Sequence, residues 1–385
     1  MKTTNRISVM TRALAIAAAA ASVGALSGCG AQKHNDVLPV QNVSYTPDGS
    51  LVLFTALAIH VYRGGVETSK IPMDALPAAS GQRGYGFSLA AGGTAAAVAY
   101  SFWNNSFNAG VAIYQIPDGT VLNTFELANA GTVGAGTVGA VSLSPDGKLL
   151  YAQWPDVSKM LDTATGASLW TDTGGVYLPV WSADGTTLFS TGAALSDTTH
   201  MTDNTLSARD AATGAVKWTV DLGTTSLVGL AVVGDGTLLA GTSEVPDDTP
   251  CPPVSAGPAC PPGFPLWSVA DGTLAGQSSG EPQTSPYASL HLSAFGCNAT
   301  DTCATGIRDY RKPNNPEYAR VYKTDGTVVA EVPAQGAAPS VAVSPDGKLI
   351  AVASDVYSQD SAQVFSLPDG KLVESIDFPG TPYVF

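Results

Sequence analysis

The chain is 385 residues long, carries a formal net charge of −14 at pH 7, and has only 13% charged side chains. An acidic chain with no Lys/Arg cluster lacks the electrostatic footprint that nucleic acid demands, which excludes that class of partner. Low charge density, 41 glycines and an apolar fraction of 44% speak for a compact, turn-rich β-protein and against a disordered chain.

The first predicted element is an export signal. Lys2, Arg6 and Arg12 form a basic start without acidic residues, and an apolar run follows from Ala13 to about Ala25. That run is short for a bilayer span and reads as the n-region and h-region of a secretory signal. It leads into Leu26-Ser27-Gly28-Cys29, which resembles the lipobox of bacterial lipoproteins. The resemblance implies cleavage before Cys29, lipidation of its thiol and of the new amino terminus, and anchoring to a membrane by several acyl chains together. Residues 1–28 are then the signal peptide, 29–36 a lipidated tether and 37–385 the folded domain. The family's sorting rules place an aspartate after the cysteine for inner-membrane retention. Gly30 stands there instead, so the resemblance favours an outer membrane, facing the periplasm or the cell surface. An ordinary secreted protein cut near this point is the rival reading. Loss of residues 1–28 removes three positive charges and no negative ones, taking −14 to −17.

Beyond the tether the chain repeats itself. A first series of turns reads Thr46-Pro-Asp-Gly, Ser144-Pro-Asp-Gly, Ser182-Ala-Asp-Gly, Gly234-Asp-Gly and Ser344-Pro-Asp-Gly, with degenerate copies at Ala90-Ala-Gly-Gly and around Ser293. Each lies between short apolar runs of strand type. Proline presets φ, aspartate bonds back to nearby amides, and glycine takes the left-handed conformation of a bulged hairpin turn. A second series interleaves with the first: Arg63-Gly-Gly, Ile116-Pro-Asp-Gly, Asp162-Thr-Ala-Thr-Gly166, Asp210-Ala-Ala-Thr-Gly214, Ala270-Asp-Gly, Thr324-Asp-Gly and Leu367-Pro-Asp-Gly.

The unit is therefore strand, tight turn, strand, loop, strand, tight turn, strand. Seven units fit, at roughly 37–76, 84–128, 138–174, 177–223, 227–280, 287–334 and 338–379. Four antiparallel strands in about 40–55 residues predict an all-β chain folded as a β-propeller. A solenoid of hairpins is the rival, and six or eight blades are alternatives because the sixth unit is poorly marked.

The spacings Asp162-x-x-Thr165-Gly166-x-x-x-Trp170 and Asp210-x-x-Thr213-Gly214-x-x-x-Trp218 resemble the tryptophan-docking repeats of quinoprotein-like propellers. The Ser-Pro-Asp-Gly-Lys turns resemble those of WD40/YVTN-type propellers. Propellers of these families put both kinds of tight turn on one face. The links between blades and the second-to-third connections lie on the other.

Those connections are unequal here: Ser101–Ala109, Trp154–Ser158, Gly192–Thr205, Glu244–Phe264, Phe295–Pro316 and Ser354–Ser361. A rigid scaffold presenting long, variable loops is the usual arrangement for binding. The contact-capable residues on them are Trp103, Trp154, His200, Asp247, Asp248, Arg308, Tyr310 and Arg311. Decorated surface loops without a ligand are the bland alternative.

Besides Cys29 there are four cysteines, Cys251, Cys260, Cys297 and Cys303. They allow three pairings, of which the local Cys251–Cys260 and Cys297–Cys303 are the simplest, and both would staple the long loops. A metal site is the rival, but no C-x-x-C spacing occurs and no histidine is close to either pair.

Other motif matches fail on context. Gly134-Ala-Gly136-Thr-Val-Gly139 leads into a strand with no helix to receive a pyrophosphate. Gly276-Gln-Ser278-Ser-Gly280 lacks the strand-to-helix elbow of a hydrolase. His200 with Asp197 and Asp203, or Asp247 with Asp248, reads as solvated loop polarity before it reads as a metal site. His60 and His291 sit in strand runs as core or channel residues.

The leading functional expectation is a lipid-anchored, non-enzymatic scaffold that binds another protein or an envelope component, with no catalytic residues, cofactor or metal. The propeller lipoprotein of outer-membrane barrel assembly is similar in anchor and repeats, although it has eight blades. The alternatives are a quinoprotein-like dehydrogenase or a propeller hydrolase or lactonase, and a sugar- or peptide-binding sensory module suggested by the loop tryptophans. Quinoprotein enzymes carry a vicinal Cys-Cys pair, and this chain has none.

Overall fold

The computed structural model describes residues 40–55, 58–73, 83–103, 107–127, 140–153, 157–172, 175–193, 204–222, 226–244, 265–277, 290–309, 316–334, 340–353 and 362–378. They form seven four-stranded antiparallel sheets, each a meander of strands consecutive in sequence. Blade 1 is Val40–Tyr45, Leu51–Thr55, Ala58–Arg63 and Val66–Pro72. Blade 2 is Arg83–Leu89, Ala95–Trp103, Phe107–Gln115 and Val121–Leu127; blade 3 is Ala140–Leu143, Leu149–Gln153, Ser158–Asp162 and Ser168–Asp172. Blade 4 is Gly175–Trp181, Thr187–Ala193, Asn204–Asp210 and Val216–Asp221; blade 5 is Ser226–Val233, Leu238–Glu244, Pro265–Ser268 and Leu274–Gln277. Blade 6 is Leu290–Cys297, Thr302–Asp309, Glu317–Lys323 and Val328–Pro333; blade 7 is Val341–Val343, Leu349–Ala353, Ala362–Ser366 and Leu372–Ile376. No described helix is long and apolar enough to cross a membrane.

Hydrophobic burial explains the ring. A single sheet cannot cover both of its faces, and the second strands are apolar on both: every residue of Leu51–Thr55 is buried. The buried side chains fall into seven clusters, one at each seam between neighbouring blades. Val52, Phe54 and Ile59 of blade 1, for example, pack on Val98, Tyr100 and Tyr114 of blade 2. First strands of adjacent blades pack on one another at six of the seven seams at least, so the first strand of each blade is innermost. Stability is thus built from seven similar sheet-on-sheet contacts instead of one central core.

The predicted turn chemistry is present in detail. In blade 3, Ser144 Oγ donates to Asp146 Oδ1 at 2.8 Å, which also accepts the Lys148 N–H at 3.1 Å, and Gly147 has φ +72°. Ser344, Asp346 and Lys348 repeat this in blade 7 with matching distances of 2.8 and 3.1 Å. Neighbouring turns are joined around the ring, as where Gly92 N–H donates to Pro145 O at 3.1 Å. Every third-to-fourth hairpin has a one-residue register shift next to its turn, a β-bulge.

Blade 6 departs from the expected layout. The strand Leu290–Cys297 runs through Ser293, which is the irregular residue between Leu292 and Ala294 in the pairing register. The turn lies further on, at Asn298–Asp301, and carries no Pro-Asp-Gly. Asn298 Oδ1 alone accepts from the N–H groups of Thr300, Asp301 and Thr302 at 3.2, 3.1 and 3.0 Å. One buried amide oxygen does there what serine and aspartate do together elsewhere. The same shift relocates the Cys297–Cys303 disulfide. The two cysteines are a cross-strand pair closing this tight turn, so they do not staple a second-to-third loop. Cys29, Cys251 and Cys260 lie outside the described residues.

Among the described residues no strand is exchanged to close the ring, and blade 1 and blade 7 are each built from one contiguous segment. Packing seals the seam instead. Val43 N–H donates to Ser340 Oγ at 3.1 Å, and the Phe378 ring lies 4.2 Å from that of His60.

Candidate functional site

Each blade presents to the next a residue that follows its second turn glycine by four positions. In chain order these are Ser69, Asn123, Trp170, Trp218, Gly276, Ala330 and Glu374. Pairing register puts Trp170 opposite Met160, Trp218 opposite Ala208 and Glu374 opposite Val364, in each case immediately beside the bulge.

Four of the seven donate a hydrogen bond across the seam to a backbone carbonyl of the next blade's second turn. Trp170 Nε1–H donates to Ala211 O at 2.8 Å, and Trp218 Nε1–H to Val269 O at 3.1 Å. Asn123 Nδ2–H donates to Thr163 O at 2.9 Å, and Ser69 Oγ–H to Pro117 O. The indoles also fill the seam, Trp170 against Tyr151 and Trp218 against Phe189.

The other three seams lack such a donor: Gly276 and Ala330 have no polar side chain, and the seam between blade 7 and blade 1 has an acid. Glu374 occupies the docking position and, as a carboxylate, has no proton to donate. Its side chain faces the Gly64–Gly65 turn, where a methyl group added to Gly65 would lie 3.5 Å from both carboxylate oxygens. A cleft of about 380 Å³ remains, walled by Tyr45, Leu51, Tyr62, Leu349 and Val364.

The electrostatics follow from this geometry. Partial burial raises the Glu374 carboxyl above its ordinary value, and no hydrogen bond or ion pair reaches it among the described residues. Burial, reinforced by Glu374 and Asp346, pushes the Tyr45 phenol up, while burial and the nearby Glu67 and Glu374 bring Tyr62 to about 12. The Tyr45 hydroxyl is buried without a hydrogen-bond partner.

A second cleft, of about 430 Å³, lies on the other side of blade 1 between its turns and those of blade 2. Asp48 and Arg63 meet there at 3.4 Å, both well exposed. The Thr46 hydroxyl, first among several hydrogen bonds, holds the Asp48 carboxyl below its ordinary value. His60 is buried between the seams and bonds through Nδ1 to Glu67 Oε1 at 2.8 Å. Burial, opposed by that carboxylate, lowers its pKa, so it is a satisfied core imidazole. No group of three or more His, Cys, Asp or Glu among the described residues is arranged to hold a metal ion.

Of the residues singled out on the long loops, the described ones lie in strands. Arg308 lies within the second strand of blade 6, opposite Glu317, and its guanidinium is paired with that carboxylate through Nε and Nη2. Trp103 ends the second strand of blade 2, in register with Phe107. His291 is in the first strand of blade 6, opposite Arg308. Trp154, His200, Asp247, Asp248, Tyr310 and Arg311 lie outside the described residues.

The acid at the docking position is legible in the sequence, although the cleft beside it is not. The Gly-x-x-x-Trp spacing of blades 3 and 4, carried onward to Gly370, lands on an acid where the repeat has indoles.

No protein-family model matches the chain, and no curated protein sequence matches it. Solved structures do. Hydrazine synthase of Kuenenia stuttgartiensis is similar with a TM-score of 0.60 and 16% identity, over 88% of this chain and 98% of that one. A chain of the mitotic checkpoint complex is similar at 0.56 and 16%, over 86% of this chain and 90% of that one. The Cps50 (Swd1) β-propeller domain of Myceliophteria thermophila is similar at 0.56 and 12%, over 86% and 95%. Identities this low speak for architecture alone. The chain has the fold of a seven-bladed β-propeller of WD40-like architecture.

Proposed function

We propose that this chain is a lipid-anchored, extracytoplasmic propeller that serves as a non-enzymatic scaffold for another protein or a component of the cell envelope. One observation carries the proposal. The rigid ring holds its tight turns on one face, and its second-to-third connections on the opposite edge range from residues 56–57 in blade 1 to 245–264 in blade 5. Uniform turns and uneven connections on a single scaffold divide the molecule into an architectural face and a recognition face. A similar propeller within the mitotic checkpoint complex is a precedent for a ring used in assembly.

The anchor rests on the amino-terminal sequence. Radiolabelled palmitate is expected to enter the chain in cells and to be absent from Cys29→Ser, which should partition away from membranes. Crosslinking in intact cell envelopes, followed by mass spectrometry, tests the scaffold. One recurring partner is the expected result; a bound quinone or turnover of a lactone by the purified chain would replace this reading with an enzymatic one.

A further inference from the structure

We infer that the cleft between blades 7 and 1 is a binding site for a protonated primary amine on an apolar stem, with Glu374 as its anionic anchor. The inference stands on the seam geometry and holds whether or not a protein partner uses the opposite face.

The repeat itself defines what is missing. At four seams the docking residue supplies a hydrogen-bond donor, and at two of them an indole also fills the space between blades. At this seam the position holds an acceptor, and a gap of about 380 Å³ is left. No described residue donates to that acceptor, which leaves it open to a donor from outside.

Two acceptors border the cleft: the Glu374 carboxylate, which no described cation neutralises, and the buried, unpartnered hydroxyl of Tyr45. An indole offers one N–H and could satisfy only one of them. An ammonium group has three donors and a charge, so it meets both and relieves the desolvated carboxylate. Tyr45 and Tyr62 line the cleft and make its wall aromatic, a surface that suits a cation. Leu51, Leu349 and Val364 give an alkyl stem an apolar wall.

Neighbouring charges agree. Arg63, beside Tyr62 in the chain, is paired with Asp48 at 3.4 Å and lines the other cleft. Asp346 and Glu67 add negative potential felt by the two tyrosines, and the whole chain is acidic at −14.

The test is calorimetric titration of the full chain with n-pentylamine, with the peptide acetyl-Gly-Lys-Gly-amide, and with n-pentanol. Saturable binding of at least one amine, and none of the alcohol, is expected. Binding of pentylamine alone identifies a free alkylamine as the natural class, and binding of the peptide identifies a lysyl side chain. Glu374→Gln should weaken binding at least tenfold and Tyr45→Phe several-fold. Glu331→Gln, which removes an exposed partner of Arg320 on blade 6, should leave it unchanged. Affinity should also fall as acid protonates Glu374. Absence of saturable amine binding by the unsubstituted chain, or equal affinity in Glu374→Gln with its unfolding midpoint intact, would overturn the inference.

Discussion

Replacing Gly214 by alanine separates two costs that the fold combines in one residue. Gly214 has φ +73°, and a Cβ there would lie 2.9 Å from Cγ and Cδ2 of Trp170. Gly49 has a similar φ of +82°, but a Cβ there meets nothing within 4 Å. Both substitutions force an L-residue into the left-handed region, at about 1–2 kcal/mol. Only Gly214→Ala also drives an atom into the docked indole, and overpacking of this kind adds about 1–3 kcal/mol. Gly49→Ala should therefore cost about 1–2 kcal/mol and Gly214→Ala about 2–5 kcal/mol. Urea unfolding followed by tryptophan fluorescence measures both. A Trp170→Ala background supplies the control, because with the indole removed Gly214→Ala should fall to the cost of Gly49→Ala. Equal losses at the two glycines in the unsubstituted background, or an undiminished loss at Gly214 without the indole, would refute the docking argument.

Four further expectations follow from the same structure. Phe378→Ala, which removes a ring packed on His60 at the closing seam, should lose about 3–5 kcal/mol by thermal or urea unfolding. Asp346→Ala deletes the acceptor of two turn hydrogen bonds at the surface and should cost about 1 kcal/mol while leaving the capture of a protein partner in envelopes unchanged. Replacing Cys297 and Cys303 together by alanine opens a loop of sequence separation 6; the denatured chain then regains entropy worth about 2 kcal/mol, read as a lower urea midpoint. His60 is harder to protonate in the folded chain than its ordinary 6.5, so the unfolded chain binds the extra proton first. Stability should fall as pH drops below 6.5 towards the folded value, and His60→Gln should flatten that part of the profile.

Much of the fold was legible because its punctuation is local. Pro-Asp-Gly and Asp-x-x-Thr-Gly turns satisfy their own hydrogen bonds within five residues, so their chemistry is written where it acts. Asn298 shows the limit. It builds the same turn with a side chain that carries no such signature, which moved the predicted turn to Ser293 and the Cys297–Cys303 link to the wrong end of the hairpin. Arg308 was read as a loop residue for the same reason and is instead paired with Glu317 inside the sheet.

Glu374 escaped for a different reason. Its meaning lies in the contrast with Trp170 and Trp218 at equivalent register, and in a contact between the last blade and the first. Sequence order hides that adjacency, and only the closed ring supplies it.

The claim that recognition belongs to the uneven face, with the turn face architectural apart from one amine cleft, is tested by a comparison within one experiment. The chain, a variant with residues 245–264 replaced by a short Gly-Ser linker, and Glu374→Gln are each crosslinked in intact envelopes and their partners counted by mass spectrometry. A partner captured by the chain and by Glu374→Gln, but lost with residues 245–264 while the unfolding midpoint holds, is the predicted result. Undiminished capture after removal of 245–264 together with loss of capture in Glu374→Gln would place recognition on the turn face and contradict the account.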